Sequence, residues 1–88
     1  MCTYATLQTA IDGSAKAPGG RWHHVSEATV YFDHPVHAMA EHTLNIDITG
    51  TPSDPAARIA VELTAESARA LVRAINGALA SAPADMTV

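Results

Sequence analysis

Four segments of the chain alternate between apolar and polar residues in the manner of half-buried β-strands. They are residues 3–12, 22–33, 42–49 and 58–63. The alternation is clearest in residues 42–49, where aliphatic and polar side chains take turns: Leu44, Ile46 and Ile48 against Asn45, Asp47 and Thr49. This pattern is typical of an antiparallel sheet that has one face against a core and the other face open.

Two turn-forming segments separate the strands into pairs. Residues 13–21 contain three glycines and a proline, and residues 50–55 combine Gly, Thr, Pro, Ser and Asp. Because these residue types favour tight turns and interrupt regular pairing, we expect both segments to be loops. Each loop would close one antiparallel hairpin.

The C-terminal part of the chain changes to a helical period. From residue 65 onward, apolar residues recur three and four positions apart: Ala68, Leu71, Val72, Ile75, Ala78 and Leu79. Thr64 is a suitable N-cap, and Glu66 in the first turn complements the positive end of the helix dipole. Gly77 weakens the helix, and Pro83 marks its end.

These elements predict an α+β domain with the order ββββα. A four-stranded antiparallel sheet, made of two hairpins, would carry one C-terminal helix on one face, with residues 1–82 as the domain and residues 83–88 as a flexible tail. The side chains expected to form the core are Leu7, Ile11, Val30, Phe32, Leu44, Ile46, Ile48, Ile59, Val61 and Leu63 from the sheet, and Leu71, Val72, Ile75 and Leu79 from the helix.

A single helix leaves the second face of the sheet open. By strand parity that face carries Tyr4, Glu27, Tyr31, Asn45, Asp47, Arg58 and Glu62, together with His23. Such a face can lie in water, bind a ligand or meet a second subunit. A chain of 88 residues also buries only about 60–65% of its unfolded surface, so dimerisation would supplement a thin core.

Charge and hydropathy exclude several classes of partner. The net charge is −4, and the five basic residues form no run, so we expect no nucleic-acid binding. No segment reaches the roughly 18 apolar residues of a membrane helix, and the N-terminus lacks a signal-peptide pattern. The expectation is a cytoplasmic protein. Cys2 is the only cysteine, which excludes an internal disulfide, and we expect it to be a small apolar residue of the first strand.

Residues 33–42, the His/Glu loop, concentrate the side chains best suited to chemistry: Asp33, His34, His37, Glu41 and His42. Two histidines separated by two residues can converge on one divalent ion from a turn. His34 and His37 with Glu41 or Asp33 would then form a two-histidine, one-carboxylate metal site. The same residues are also compatible with a structural connector or with a metal-free site for ligand binding or proton transfer.

Other signatures of chemistry are absent from the sequence. His42 is in phase with Leu44 and Ile46, which places it on the core side rather than among metal ligands. His23 and His24 are neighbours on a strand and point to opposite faces, so they cannot chelate together. Neither an HExxH motif nor a GxSxG elbow occurs, and no helix follows the glycine loop to form a phosphate site.

Three stretches resemble a small actinobacterial family catalogued as a domain of unknown function. They are the MCTYATL start, the central EATVYFDHPVHAMAEHTLNIDI and the late ARIAVELTAESARALVRAI. The resemblance spans essentially the whole chain, through an MCTY-like start and a YFDHPVHAxxEHTLNID-like core. It implies an actinobacterial source, and it brings no activity, substrate, cofactor or catalytic residue.

The residues themselves leave three functions open. The first is a non-catalytic, homodimeric module that binds a small molecule or partner through Tyr31, Asn45, Asp47 and Arg58, with His34 and His37 at the rim. The second is a small metal-dependent or acid–base enzyme centred on His34, His37 and Glu41. The third is a purely structural assembly protein. The first function requires no cofactor. The metal-dependent form of the second function requires a divalent metal.

Overall fold

The fold is an open sheet followed by one helix. The computed structural model describes residues 4–37, 39–50 and 58–88. Its elements in chain order are β1 (Thr6–Lys16), β2 (Trp22–Asp33), β3 (Thr43–Thr49), β4 (Ile59–Leu63), α1 (Ala65–Ser81) and a short 3-10 helix (Ala84–Met86). The predicted ββββα order is therefore confirmed.

The four strands form one antiparallel sheet in the order β1-β2-β3-β4. Val30 lies opposite Leu7 on one side and Ile46 on the other, while its neighbour Tyr31 lies opposite Asn45. Residues that lie directly opposite one another share a face of the sheet. This register therefore collects the aliphatic side chains on one face, the apolar face, and the polar side chains on the other, the polar face, as the alternation predicts.

The first hairpin differs from the sequence prediction. Residues 13–16 were expected in a loop, but β1 continues through them to Lys16 after a shift of register between Ala10 and Gly13. The turn itself is short, and Gly20 N donates to Ala17 O at 3.0 Å. Gly19 has φ +91°, a left-handed conformation that a type II turn requires after its proline. The glycine-rich segment is thus shared between a strand and a tight turn.

The helix begins and ends where its capping residues predict. Thr64 is the N-cap, and its hydroxyl oxygen accepts a hydrogen bond from Ser67 N at 3.1 Å. Ala82 forms the C-cap by donating its N–H to Leu79 O, immediately before Pro83. Beyond the proline, the expected tail contains a single 3-10 turn. No helix in the described parts of the chain is long and apolar enough to cross a membrane.

The expected hydrophobic core is not buried. None of the sheet and helix side chains assigned to it is buried, and Leu7 remains 68% exposed. Helix α1 packs chiefly on β3 and β4 and buries none of its own residues. The prediction of one helix packed on the apolar face is therefore confirmed, but the side chains assigned to the core are half-buried or exposed rather than buried. Within the described residues, the buried hydrophobic side chains are Ala17, Val25 and Ala28.

Gly50 marks a close approach between two parts of the backbone. A Cβ atom at this position would overlap the carbonyl oxygen of His24. The chain can therefore leave β3 along this path only because residue 50 has no side chain. Gly50 is the first residue of the turn predicted at 50–55, and the rest of that turn lies outside the described residues, as does Cys2.

Candidate functional site on the polar face

A pocket of about 570 Å³ opens on the polar face of the sheet. Its floor comes from β2, β3 and β4, and the His/Glu loop contributes part of the rim. The four residues predicted to bind a ligand all line it: Tyr31, Asn45, Asp47 and Arg58. The remaining lining residues are Val36, His37, Ala60, Val61 and Glu62. We refer to this cavity as the polar pocket.

The register of the sheet explains why a hollow forms at this place. Asn45 lies opposite Glu62, and Asp47 lies opposite Ala60. Ala60 is the smallest side chain of the polar face on β4, and it leaves room between the longer side chains two positions away. Those side chains, Arg58 and Glu62, therefore stand on either side of the hollow with opposite charges.

Asp47 organises the hydrogen bonding in the polar pocket. Its Oδ2 accepts from the Tyr31 hydroxyl at 3.2 Å, and its Oδ1 accepts from Arg58 Nη2 at 2.7 Å. Burial, followed by the charge and hydrogen bond of Asp47, raises the pKa of the Tyr31 phenol above its ordinary value. The hydrogen bond with Asp47 and the charge of Asp47 also raise the pKa of Arg58. The three side chains thus form one linked group with a neutral phenol.

Arg58 keeps part of its donor capacity. Its side chain is 49% exposed, compared with 19% for its partner Asp47, so the ion pair lies at the mouth of the pocket. A guanidinium has five N–H donors, and the described contacts use only Nη2. The exposed pair contributes little to stability in itself, because water and salt screen it. The ion pair nevertheless holds the positively charged guanidinium of Arg58 at a defined place.

Asn45 is the most deeply buried of the residues that line the polar pocket. It is only 4% exposed, and its Oδ1 accepts a hydrogen bond of 2.7 Å from the hydroxyl of the fully buried Thr43. Its Nδ2 is the donor end of the same carboxamide. The carboxamide is therefore oriented by Thr43 at one end and offers a donor at the other.

Glu62 fastens the His/Glu loop to the rim of the pocket. Its Oε2 accepts from Val36 N, and its Oε1 accepts from His37 N at 3.0 Å. This contact could not be predicted from the sequence, because the partners are 25 and 26 residues apart in the chain. Strand parity, which places Glu62 on the same face as the other lining residues, was the available signal.

The structure separates the two histidines proposed as metal ligands. His37 lines the polar pocket, whereas the ring of His34 stacks on that of His42 at 4.5 Å. His42 in turn stacks on Phe32 at 5.8 Å, which confirms its assignment to the core side. His34 Nδ1 lies 2.9 Å from the backbone oxygen of Glu41. His34 is therefore not among the residues that line the polar pocket.

A three-ligand metal site is not assembled in this arrangement. Among residues 4–37, 39–50 and 58–88, no three His, Cys, Asp or Glu side chains lie close enough to hold an ion together. Glu41 meets His34 through its main chain rather than through its carboxylate. The metal-dependent reading of His34, His37 and Glu41 stays a prediction, and the donor arrangement gives it no support.

The fold and pocket define the class of protein to which the chain belongs. It is a small α+β domain with an open antiparallel sheet, one helix and a polar pocket on the face away from that helix. The chain belongs to a family of unknown function, DUF6295, whose model matches residues 1–88. No curated protein and no solved structure matches it. The resemblance to a domain of unknown function is thereby confirmed, and the actinobacterial source stays a prediction.

Proposed function

We propose that the protein is a small, non-catalytic, homodimeric module that binds a small polar molecule in the polar pocket. One observation carries the proposal: Tyr31, Asp47 and Arg58 are joined in a network of hydrogen bonds on one wall of a 570 Å³ cavity. Pockets in which a few polar groups are held in fixed positions are the usual form of small-molecule sites.

The chemistry of the lining favours a ligand with acceptor oxygens. Arg58 retains N–H groups, and Asn45 offers Nδ2, so two donors remain for a ligand. The acceptors are more fully engaged, since Asp47 accepts two hydrogen bonds and Glu62 accepts two from the loop. The excess of donors suits a carboxylate or a carbonyl group. The two carboxylates in the wall disfavour a ligand with several negative charges.

The same lining favours binding over acid–base catalysis. A general acid or base works best when its pKa lies near the working pH. Burial raises the pKa of Tyr31 further from neutrality, and the two carboxylates are already committed to hydrogen bonds. His37 is the remaining side chain that an acid–base enzyme could use, and its backbone is fixed by Glu62.

Titration by two-dimensional NMR with two groups of small compounds tests the proposal. One group contains monocarboxylates and the other contains uncharged amides. We expect one group to shift the backbone signals of β2, β3 and β4 around the polar pocket. The Arg58→Gln variant should weaken that binding at least about tenfold, because a charge-assisted hydrogen bond is lost. Arg21→Gln is the matched control, since Arg21 lies in the first hairpin turn, outside the pocket lining.

Three outcomes would contradict the proposal. Both groups could leave the signals of the pocket unchanged, or Arg21→Gln could weaken binding as much as Arg58→Gln. The third outcome is conversion of the bound compound that stops in a His37→Gln variant, which would establish an acid–base enzyme. Metal analysis of the purified protein and of His37→Ala tests the metal-dependent alternative, which requires a stoichiometric ion that the variant loses.

A further inference from the structure

The apolar stripe of α1 and the β1 end of the apolar face are exposed, while the sheet side chains between them are half-buried. On the helix, Leu71, Val72, Ile75 and Leu79 form an apolar stripe in which each side chain is 42–56% exposed. On the sheet, Leu7 of β1 is 68% exposed. Large apolar side chains exposed side by side call for a covering surface.

Helix α1 also stands off the sheet. Between them lies a groove of about 520 Å³ lined mainly by aliphatic side chains, such as Val30, Ile46 and Leu63, together with Arg69 and Arg73 of α1. Protein interiors are packed nearly as densely as organic crystals and contain few voids larger than a water molecule. A groove of this size is therefore not packed as a protein interior is. It adjoins the apolar stripe, with which it shares Leu71, Val72 and Ile75.

The total surface of the chain, taken over all of its faces, is larger than that of a compact monomer. The chain exposes 6593 Å², whereas a compact monomer of 9.2 kDa exposes about 4,900 Å². The radius of gyration is 14.5 Å, compared with about 12 Å for a compact chain of this length. The excess is about 1,700 Å² per chain, so two chains covering one another would bury about 3,400 Å². That lies within the range of obligate homodimers, about 2,000–5,000 Å².

We infer that the apolar face is the interface of a homodimer and that its occupant is the same face of a second copy of this chain. The four residues of the apolar stripe are uncharged and can meet their own copy without repulsion between like charges, while Arg69 and Arg73, which also line the groove, lie beside the stripe. An interface with twofold symmetry requires this self-complementarity. A small apolar molecule in the groove would leave Leu7 and Leu79 uncovered, because neither lines it. A second chain accounts for the groove, the stripe and the excess surface together.

This inference rests on the homodimeric state proposed above and concerns the face opposite the polar pocket. The pattern of the strands alone left the open polar face to water, to a ligand or to a second subunit. With the subunits joined through their apolar faces, both polar pockets remain accessible to ligand.

Sedimentation equilibrium of the full chain over a wide concentration range tests the interface. The wild type should show about twice the 9.2 kDa chain mass. Ile75→Glu, which places a charge within the apolar stripe, should halve the measured mass. Ala70→Glu is the matched control, because it adds the same charge on the solvent side of α1 and should leave the dimer intact. The NMR titration of the polar pocket is repeated on both variants. It shows whether ligand binding is lost independently of the dimer, so that the two proposals can fail separately.

Each alternative result overturns the inference. A wild-type monomer throughout the range excludes the dimer, and a monomer that carries a copurified apolar molecule assigns the groove to that molecule. A dimer that persists in Ile75→Glu, or that Ala70→Glu disrupts equally, places the interface elsewhere. If Ile75→Glu does not fold, the wild type still decides, because the melting temperature of an obligate dimer rises with protein concentration and that of a monomer does not.

Discussion

The two faces of the sheet reverse the usual relation between polarity and burial. On the polar face, Thr43 is fully buried and Asn45 is 4% exposed. On the apolar face, all of the large aliphatic side chains assigned to the core are at least partly exposed. The same four strands supply both faces, so the difference comes from what covers them. The His/Glu loop is fastened to Glu62 on the polar side, while α1 leaves the large side chains of the apolar side half-buried or exposed.

This difference indicates which face the single chain completes by itself. Buried polar groups are costly unless they are hydrogen-bonded, and Thr43 and Asn45 satisfy one another within one chain. The side chains of the apolar face remain without comparable cover. The polar face is thus completed within one chain. We infer that the apolar face is completed by the second copy described above.

The largest effect is expected from the buried pair on the polar face. Thr43→Val removes the hydroxyl that donates to Asn45 Oδ1 and leaves a buried acceptor without a partner. We expect a loss of about 2 kcal/mol in the free energy of unfolding, measured by urea denaturation. Thr29→Val is the matched control, since Thr29 is only half-buried and its hydrogen bond with Gln8 is long, at 3.4 Å. Equal losses in the two variants would show that the pair is not a special feature of this face.

A smaller effect is expected from the contact that fastens the loop. Glu62→Gln keeps the shape of the side chain but removes the charge, and one of its two acceptor oxygens becomes a donor. We expect a loss of about 1 kcal/mol, together with faster amide hydrogen exchange at Val36 or His37. Glu27→Gln is the control on the same face, where the exposed side chain should change stability by less than about 0.5 kcal/mol. Unchanged amide hydrogen exchange at Val36 and His37 in Glu62→Gln would show that Glu62 does not hold the His/Glu loop in place.

The solvent side of α1 offers a test with the opposite sign. Gly77 lies away from the apolar stripe, and a Cβ atom there meets nothing within 4 Å. Gly77→Ala should therefore stabilise the protein by about 0.5–1 kcal/mol through helix propensity alone, without changing the mass in solution. Ala70→Gly, on the same side, should cost a similar amount. Destabilisation by Gly77→Ala would mean that this side of the helix is also an interface.

The last effect is confined to alkaline pH. The raised pKa of Tyr31 means that the folded chain holds the phenolic proton more tightly than the unfolded chain, where it is released near 10.0. The resulting stabilisation is complete below pH 10 and is lost as pH rises through the folded pKa. Tyr31→Phe should remove this alkaline component from urea unfolding measured across the pH range. An unchanged alkaline loss of stability in the variant would show that another group is responsible.

The sequence predicted those features that depend on local pattern. Alternation identified the strands and the polar face, and Thr64 was recognised as a cap because its role involves only the next turn of the chain. The four lining residues could be grouped because parity and register place them on one face, although their function as a ligand site stays a prediction.

The remaining features depend on distant contacts. The contact of Glu62 with the His/Glu loop joins residues far apart in the chain, and the separation of His34 from His37 follows from the stacking of His34 on His42. The continuation of β1 through residues 13–16 required an irregularity between Ala10 and Gly13 that no local pattern encodes. The exposure of the apolar face also could not be predicted, because periodicity shows which side chains should be covered but not how much surface one helix covers.

The close approach at Gly50 also limits how the sequence can diverge. Any side chain at residue 50 would overlap the backbone of β2. Because backbone atoms are the same for every residue type, no substitution in β2 can relieve this overlap. Gly77 has no such neighbour and is free to change to alanine. In an alignment of the family, we therefore expect the position of Gly50 to remain glycine while that of Gly77 varies. Selection should therefore act strongly on one glycine of the chain and weakly on the other.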